Sequence, residues 1–255
     1  MQNIDKNFKF GLKLWSTNKN YIKAAEELYD KGVFHYIEIY SIPNSLDQID
    51  VWKKLTIPFI IHAPHYGHNV NLAKKEQKES NMKHLEEALK FANILNAEDI
   101  IFHPGIAGDI QETVKQINEL NDERIIIENK PYFIEKDNSI CNGATFEEIQ
   151  FVLNNTNVNF CLDIGHAICA ANALKIDRLD FIKQLLKLKP KMFHLTDNEI
   201  DSIYDKHFHF GAGSLPIKKI LKLLPQNIII TVETYKDYEN KLDDFQKDLF
   251  FLKGI

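Results

Sequence analysis

The chain has 255 residues, 44% of them hydrophobic and 26% charged, the balance of a soluble globular protein with one large core or two small ones. A net charge of −5 excludes a global basic field that would draw in nucleic acid, while a local basic patch stays open. No run of about 18 apolar residues occurs, so no membrane span is expected. The start, Met1-Gln2-Asn3-Ile4-Asp5-Lys6, has no apolar run, so no signal peptide is expected. Cys141, Cys161 and Cys169 are odd in number and lack CxxC spacing, which argues against a disulfide framework and for a cytoplasmic location.

In chain order, residues 8–15 read as a first strand and 21–29 as a helix. The alternating, aromatic-rich 34–40 reads as a second strand, and 45–55 as a short helix. Strand three is 57–62, with Pro58 near its start, where a missing N–H is tolerated. A polar, His-rich loop follows. A long helix then carries Met82, Leu85, Leu89, Ala92 and Leu95 on one stripe. Strand four is 99–103, and Asp109 is an N-cap candidate for the next helix. Strand five is 124–129. Thr145-Phe146-Glu147-Glu148 is a capping box. Strand six is 158–163, followed by helical sequence over 167–188 with a break near Ile176-Asp177. Strand seven is 191–194. A long polar linker leads to a helix over 216–224 with Pro216 in its first turn. Strand eight is 227–233, and Phe245, Leu249 and Leu252 line a last helix.

Eight βα units with short apolar strands imply a parallel sheet buried on both faces. The expected fold is α/β, a (β/α)₈ TIM barrel forming a single domain over 1–255. An open doubly wound sheet is the alternative. No GxGxxG or Walker sequence follows the first strand, which weighs against a nucleotide-binding version.

Active sites of such barrels lie at the C-terminal strand ends. Strands three to eight here end in His62, His103, Glu128, Asp163, His194 and Glu233. Asp163 taken alone could be a helix N-cap. Six consecutive strands bringing a ligand-type residue to one rim exceeds what capping requires, and points to a metal site. His166 follows Asp163 by three residues. The loop after strand seven adds Asp205 and His207, which point the same way if the segment is extended, with His209 in the same phase. Gly211 and Gly213 argue for a tight, ordered loop. Nine candidate ligands are too many for one ion, so two or three ions are expected. The imidazole-rich set favours Zn²⁺, with Mn²⁺ second.

Seven motifs occur in order: Ile61-His62-Ala63-Pro64 with Asn71-Leu72; Phe102-His103-Pro104-Gly105; Ile127-Glu128-Asn129; Cys161-Leu162-Asp163-Ile164-Gly165-His166-Ala167; His194-Leu195-Thr196-Asp197; Asp205-Lys206-His207 with Gly211-Ala212-Gly213; and Val232-Glu233-Thr234. Together they resemble the endonuclease IV branch of the xylose-isomerase-like barrels. The resemblance implies a three-zinc phosphodiester hydrolase acting at abasic sites in DNA. It implies a first ion on His62, His103 and Glu128. Glu128 would bridge to a second ion on Asp163, His194 and Glu233, and His166, Asp205 and His207 would hold the third. Glu128, Glu233 and His166 would then be the catalytic residues.

The chain also departs from that pattern. The Gly-rich segment expected after Glu128-Asn129 is Lys130-Pro131-Tyr132-Phe133, and the expected Gly-Glu-Gly is Gly211-Ala212-Gly213. The second strand looks more like the sugar isomerase and epimerase branch. Contacts for duplex DNA are limited to Lys74, Lys75 and Lys130 near the rim, with Tyr66 as a candidate wedge. The alternative is therefore a divalent-metal sugar or sugar phosphate isomerase/epimerase, with one ion among Glu128, Asp163, His194 and Glu233. Glu128 and Glu233 would be its acid–base pair, and His166 would contact the substrate. The substrate is then a small phosphoester, a sugar or abasic-site DNA. A non-catalytic metal-dependent sugar-binding module is disfavoured, because so dense a polar rim is costly to keep for binding alone.

Overall fold

In the computed structural model, which describes residues 7–254, eight parallel strands close into a barrel in chain order. The N-terminal stretch read for targeting lies outside the described residues. The strands are β1 (Lys9–Trp15), β2 (Tyr36–Tyr40), β3 (Phe59–His62), β4 (Ile100–Phe102), β5 (Ile125–Glu128), β6 (Asn159–Asp163), β7 (Met192–Leu195) and β8 (Ile229–Val232). Closure comes from β1 pairing with β8, Lys9 opposite Ile229 and Leu12 opposite Val232. The expected barrel is thus the observed one, and the open sheet is excluded.

Helices cover the outside: α1 (Ile22–Asp30), α2 (Ile49–Trp52), α3 (Lys78–Leu95), α4 (Ile110–Leu120), α5 (Phe146–Asn155), α6 (Ile164–Leu174), α7 (Arg178–Leu186), α8 (Ile217–Leu223) and α9 (Asp243–Lys253). The Asp109 carboxylate accepts from Gln111 N at 2.8 Å, capping α4 as its sequence position suggests. Thr145 caps α5 by accepting from Glu148 N at 3.2 Å, and Glu148 reaches back to Gly143 N and Ala144 N. The break near Ile176-Asp177 is real: Lys175 takes a left-handed φ of 57°, and Asp177 caps α7.

Several boundaries differ from expectation: β2, β3 and β8 begin two residues later than read, and β4 and β8 end one residue before His103 and Glu233. The helix expected over 45–55 is one α-turn after a short 3₁₀ turn, because the Trp52 indole is drawn inward and donates to Ser16 O at 2.8 Å. The helix expected from residue 167 begins at Ile164, because Asp163 caps it directly. Pro216 is the N-cap of α8 rather than part of its first turn. Cys141, Cys161 and Cys169 are free and buried. Among the described residues, no helix is long and apolar enough to cross a membrane.

The barrel interior is layered by the two-residue period of its strands. Tyr36, Ile60, Ile101, Ile126, Cys161 and Met192 form one inward cluster, separate from the core between strands and helices. Two residues further on stand Glu38, His62, His103, Glu128, Asp163 and His194. The first layer plugs the barrel, and the second is its floor of polar groups. Gly11 completes the plug by omission: a Cβ there would run into the Tyr36 ring. The Tyr36 hydroxyl bonds Thr231 Oγ1 at 2.9 Å. Gly11→Ala should therefore force that ring aside and lower unfolding stability by about 1–3 kcal/mol. Chemical denaturation checks this, and an unchanged midpoint would show that the ring has room to yield.

Candidate metal centre

All nine sequence-predicted ligands meet at the C-terminal mouth, linked through Glu128. Glu128 Oε2 lies 3.3 Å from His62 Nε2, 3.2 Å from His103 Nε2 and 3.3 Å from His194 Nδ1. Its Oε1 lies 2.9 Å from His166 Nδ1. His194 Nδ1 is also 2.9 Å from Glu233 Oε1 and 3.9 Å from Asp163 Oδ2. Asp205 Oδ2 joins His166 Nε2 at 3.3 Å to His207 Nε2 at 2.7 Å.

Each of four imidazoles is held by one nitrogen and offers the other. His62 Nδ1 donates to Ala63 O at 2.8 Å, and His207 Nδ1 to Glu233 O at 2.8 Å. His166 Nδ1 donates to Asn129 O at 2.9 Å. His194 Nε2 bonds Glu38 Oε2 at 2.9 Å. A carbonyl can only accept, so three of these contacts fix which nitrogen keeps its proton when the other is offered, as outer groups do around metal ligands. The offered nitrogens face carboxylates, and several of these atoms are left unsatisfied. Asp163 Oδ2, His194 Nδ1 and both Asp205 side-chain oxygens are buried without a hydrogen bond. Such atoms cost about 1–3 kcal/mol each. Lone pairs sharing one space suit divalent cations, and the ligand atoms of His62, His103 and Glu128, and of Glu128, Asp163 and His194, each close to within 4.8 Å. The residues therefore fit divalent metal.

Asp163 is placed for both readings of its position. Oδ1 caps α6 by accepting from His166 N at 2.6 Å, and Oδ2 faces the cluster. His166 consequently sits in the first turn of α6.

The loop after β7 differs from expectation. The segment around Asp205 is not extended: His207 has φ +49°. That turn, not a two-residue period, brings His207 to Asp205. His209 leaves the site, with Nδ1 2.8 Å from Asp248 Oδ2 and Nε2 3.3 Å from Asp237 Oδ1. His209, Asp237 and Asp244 make a separate, partly exposed trio. The loop is pinned by the buried Asp197. Its Oδ1 accepts from Asn198 N and Leu215 N, and its Oδ2 from Gly211 N and Gly213 N, at 2.8–3.2 Å. Gly211 has φ +89°, and a Cβ on Gly213 would collide with Asn198 O, so both glycines are required.

Three functional side chains escaped the sequence reading of the floor. Lys13 Nζ bridges Glu38 Oε1 at 2.5 Å and Glu233 Oε1 at 2.6 Å. Glu38 orients His194. Lys130, expected near the rim as a DNA contact, is buried within the ligand cluster. The available signal was phase: Lys13 and Glu38 stand two residues beyond Gly11 and Tyr36, as the ligands stand beyond the plug.

Above the floor lies a cavity of about 780 Å³, lined in part by Trp15, Tyr40, Tyr66, Phe133, Tyr235 and Lys236. His65 stacks on His103 with ring centroids 4.6 Å apart, and Tyr40 OH bonds His68 Nδ1 at 2.8 Å. Both histidines are therefore wall residues.

Charge divides the histidines. Burial and then Lys13 hold His62 below its ordinary range, and burial and then Lys130 hold His103 well below it, so both are neutral at neutral pH. Burial opposes protonation of His166 and His207 too. Carboxylates outweigh it, chiefly Asp163 for His166 and Asp205 for His207, raising them to about 10 and about 9. Burial, with added repulsion from Asp205, Glu128 and Glu233, lifts Asp163 to about 6. For Glu128, burial raises the pKa, but Lys130, His103 and His194 together hold it well below the usual carboxylate range.

A closed parallel barrel with a ligand cluster at its C-terminal rim is the architecture of a barrel enzyme. Residues 34–255 match the family model of the xylose isomerase-like TIM barrels, and the chain belongs to that family. It is 24% identical over 204 residues to a protein named probable endonuclease 4 from Staphylococcus saprophyticus. That match covers 72% of this chain and 65% of the relative, just under two thirds of its length. The structure of endonuclease IV from Thermus thermophilus superposes with a TM-score of 0.71 at 22% identity, covering 97% of this chain and 100% of that one. A D-tagatose 3-epimerase-like protein superposes equally, with a TM-score of 0.71 at 20% identity over 96% of each chain.

The loop anchor and the charge pattern can each be tested. Asp197→Ala removes a carboxylate that accepts from four backbone N–H groups. It should cost about 2–3 kcal/mol of stability and loosen the loop holding Asp205 and His207, read as faster amide hydrogen exchange over residues 198–215. The pH dependence of metal uptake has a fixed sign. Burial opposes protonation of His194, but Cys161, Glu233, Glu38 and Glu128 hold it well above its ordinary range, so it is protonated at neutral pH without metal and an ion entering beside Glu128, Asp163 and Glu233 must displace a proton. Apparent zinc affinity should rise from about pH 6 to about pH 8 with proton release, seen as buffer-dependent heats in calorimetric titration. Uptake without proton release would contradict the charge assignment.

Proposed function

We propose that the protein is a divalent-metal-dependent phosphodiester hydrolase of the endonuclease IV type. The observation that carries this reading is the single contact network joining all nine ligand-type side chains through Glu128. A sugar isomerase using one ion needs only Glu128, Asp163, His194 and Glu233. Apart from His166, which would contact the substrate, His62, His103, Asp205 and His207 would then be enclosed polar groups without a ligand role, a costly arrangement.

The residues available to hold ions form three sets. His62 and His103 share Glu128; Asp163, His194 and Glu233 share it from the other side; His166, Asp205 and His207 form the third. Bound zinc or manganese supplies Lewis acidity toward a phosphoryl oxygen. The chain's own groups prepare the site for that role. Glu38 and the backbone carbonyls orient the imidazoles, and the Lys13 ammonium holds Glu233 in place. Lys236 borders the cavity, with its Nζ on Thr234 O at 2.6 Å. The cavity volume falls in the usual range for compact ligands, roughly 300–1,000 Å³. The reacting unit is then one sugar phosphate, either free or turned out of a DNA strand at an abasic site.

One observation favours a second reading. Glu128 and Glu233 approach the same His194 nitrogen, at 3.3 and 2.9 Å, so their carboxylates face one small volume. An acid–base pair acting on opposite sides of a sugar carbon needs that placement, which suits a ketose epimerase.

Metal-loaded protein should nick a duplex carrying a synthetic abasic site, or cleave bis(p-nitrophenyl) phosphate if the substrate is a small phosphoester. Glu233→Gln should lower either rate by about a hundredfold or more. Full metal loading without either cleavage, together with epimerisation of a ketohexose, would decide for the second reading.

A further inference from the structure

The third ligand set has a competitor inside the chain. Lys130 is only 5% exposed, and its ammonium is aimed into the cluster rather than at solvent. Nζ lies 3.3 Å from His103 Nε2, 3.4 Å from Glu128 Oε1 and 3.4 Å from both ring nitrogens of His166. It therefore touches two members of the first set, His103 and the shared Glu128, and one member of the third, at both of its ring nitrogens. An ammonium has no lone pair, so it cannot be a ligand. At this spot it does what an ion would do: it places positive charge between an imidazole and a buried carboxylate.

The position is built. Asn129, the preceding residue, is fixed to β6: its Nδ2 donates to Asp163 O at 2.9 Å, and its Oδ1 accepts from Asp163 N at 2.8 Å. Lys130 N donates to Gly143 O at 3.0 Å. With the backbone held on both sides, the side chain is delivered into the cluster.

The spacing of the ligand atoms points the same way. Those of His62, His103 and Glu128, and those of Glu128, Asp163 and His194, close to within 4.8 Å, whereas His166, Asp205 and His207 make no such group among the described residues.

We infer that Lys130 takes the place of the third ion, so that this protein holds two divalent ions, on the His62–His103–Glu128 and Glu128–Asp163–His194–Glu233 sets. His166 then faces an ammonium on one side and Asp205 on the other, and the third set orders Lys130 rather than binding metal. This assignment rests on the metal-dependent reading of the site, but not on which reaction the site performs.

The test is metal stoichiometry. Full-length protein is stripped with chelator, reloaded with excess zinc chloride, desalted and analysed for metal per chain by mass spectrometry. Asp237→Asn is carried in every sample, so that the separate His209 trio adds nothing. Chains with Lys130 should hold two ions. Lys130→Met should hold three, because the vacated space and lost charge admit the third. Lys130→Arg should stay at two. Three ions with Lys130 in place overturn the assignment, as does a count of one or none. An unchanged two in folded Lys130→Met also overturns it, with Lys130→Gln replacing that variant if circular dichroism shows it unfolded. Phosphodiester cleavage measured on the same samples separates the two ideas. Two ions without cleavage keep the lysine assignment and remove the hydrolase; three ions with cleavage do the reverse.

Discussion

Glu128 is a carboxylate with almost no exposure at the centre of a barrel, and the arrangement around it answers the cost of putting it there. A buried charge without partners is disfavoured by several kcal/mol. Here three imidazoles approach Oε2, and His166 and Lys130 approach Oε1. No one partner compensates it fully, because each is shared. His194 also serves Glu233 and Glu38, His166 also serves Asp205, and Lys130 also meets His103. The centre is therefore one electrostatic unit, in which removing any member changes the charge state of the rest.

The unit is held by groups that do not face the cavity. Thr231 Oγ1 donates to Glu38 Oε2, and Tyr36 OH meets Thr231 from below. Glu38 in turn sets His194. The chain of contacts runs from the plug layer to the ligand layer without a break. On the other side, Asn129 ties the end of β5 to the end of β6, so Glu128 and Asp163 keep their spacing. Asp197 does the same for the tightly bonded loop that carries Asp205 and His207.

Much of this was readable from residue order. A histidine or carboxylate at the end of a short apolar strand is conspicuous, and six in succession fix both the barrel and the rim. The Asp163 ambiguity was also legible: one oxygen caps the helix while the other faces the cluster, so the cap does not exclude a ligand. Lys13 and Glu38 were not legible as site residues. In a strand buried on both faces, a single charged residue looks the same whether it points inward or outward, and only the barrel's closure decides. Lys130 was misplaced for a related reason: its direction depends on Asn129 gripping a neighbouring strand, a contact with no local signature. His207 and His209 were assigned a common phase on the premise of an extended loop. The left-handed backbone at His207 breaks that phase, and nothing in the residue types requires that turn.

Below the charged floor, Ile60, Ile101, Ile126, Cys161 and Met192 close the barrel with apolar contacts that take no part in the chemistry above them. Stability and reactivity are thus assigned to different rungs of the same strands, one residue pair apart. A lineage can exchange side chains on the upper rung, or swap an ion for a lysine, while the lower rung keeps the barrel shut. Such modularity separates the fold from the chemistry it carries, and this backbone superposes equally on an endonuclease IV and on a D-tagatose 3-epimerase-like protein.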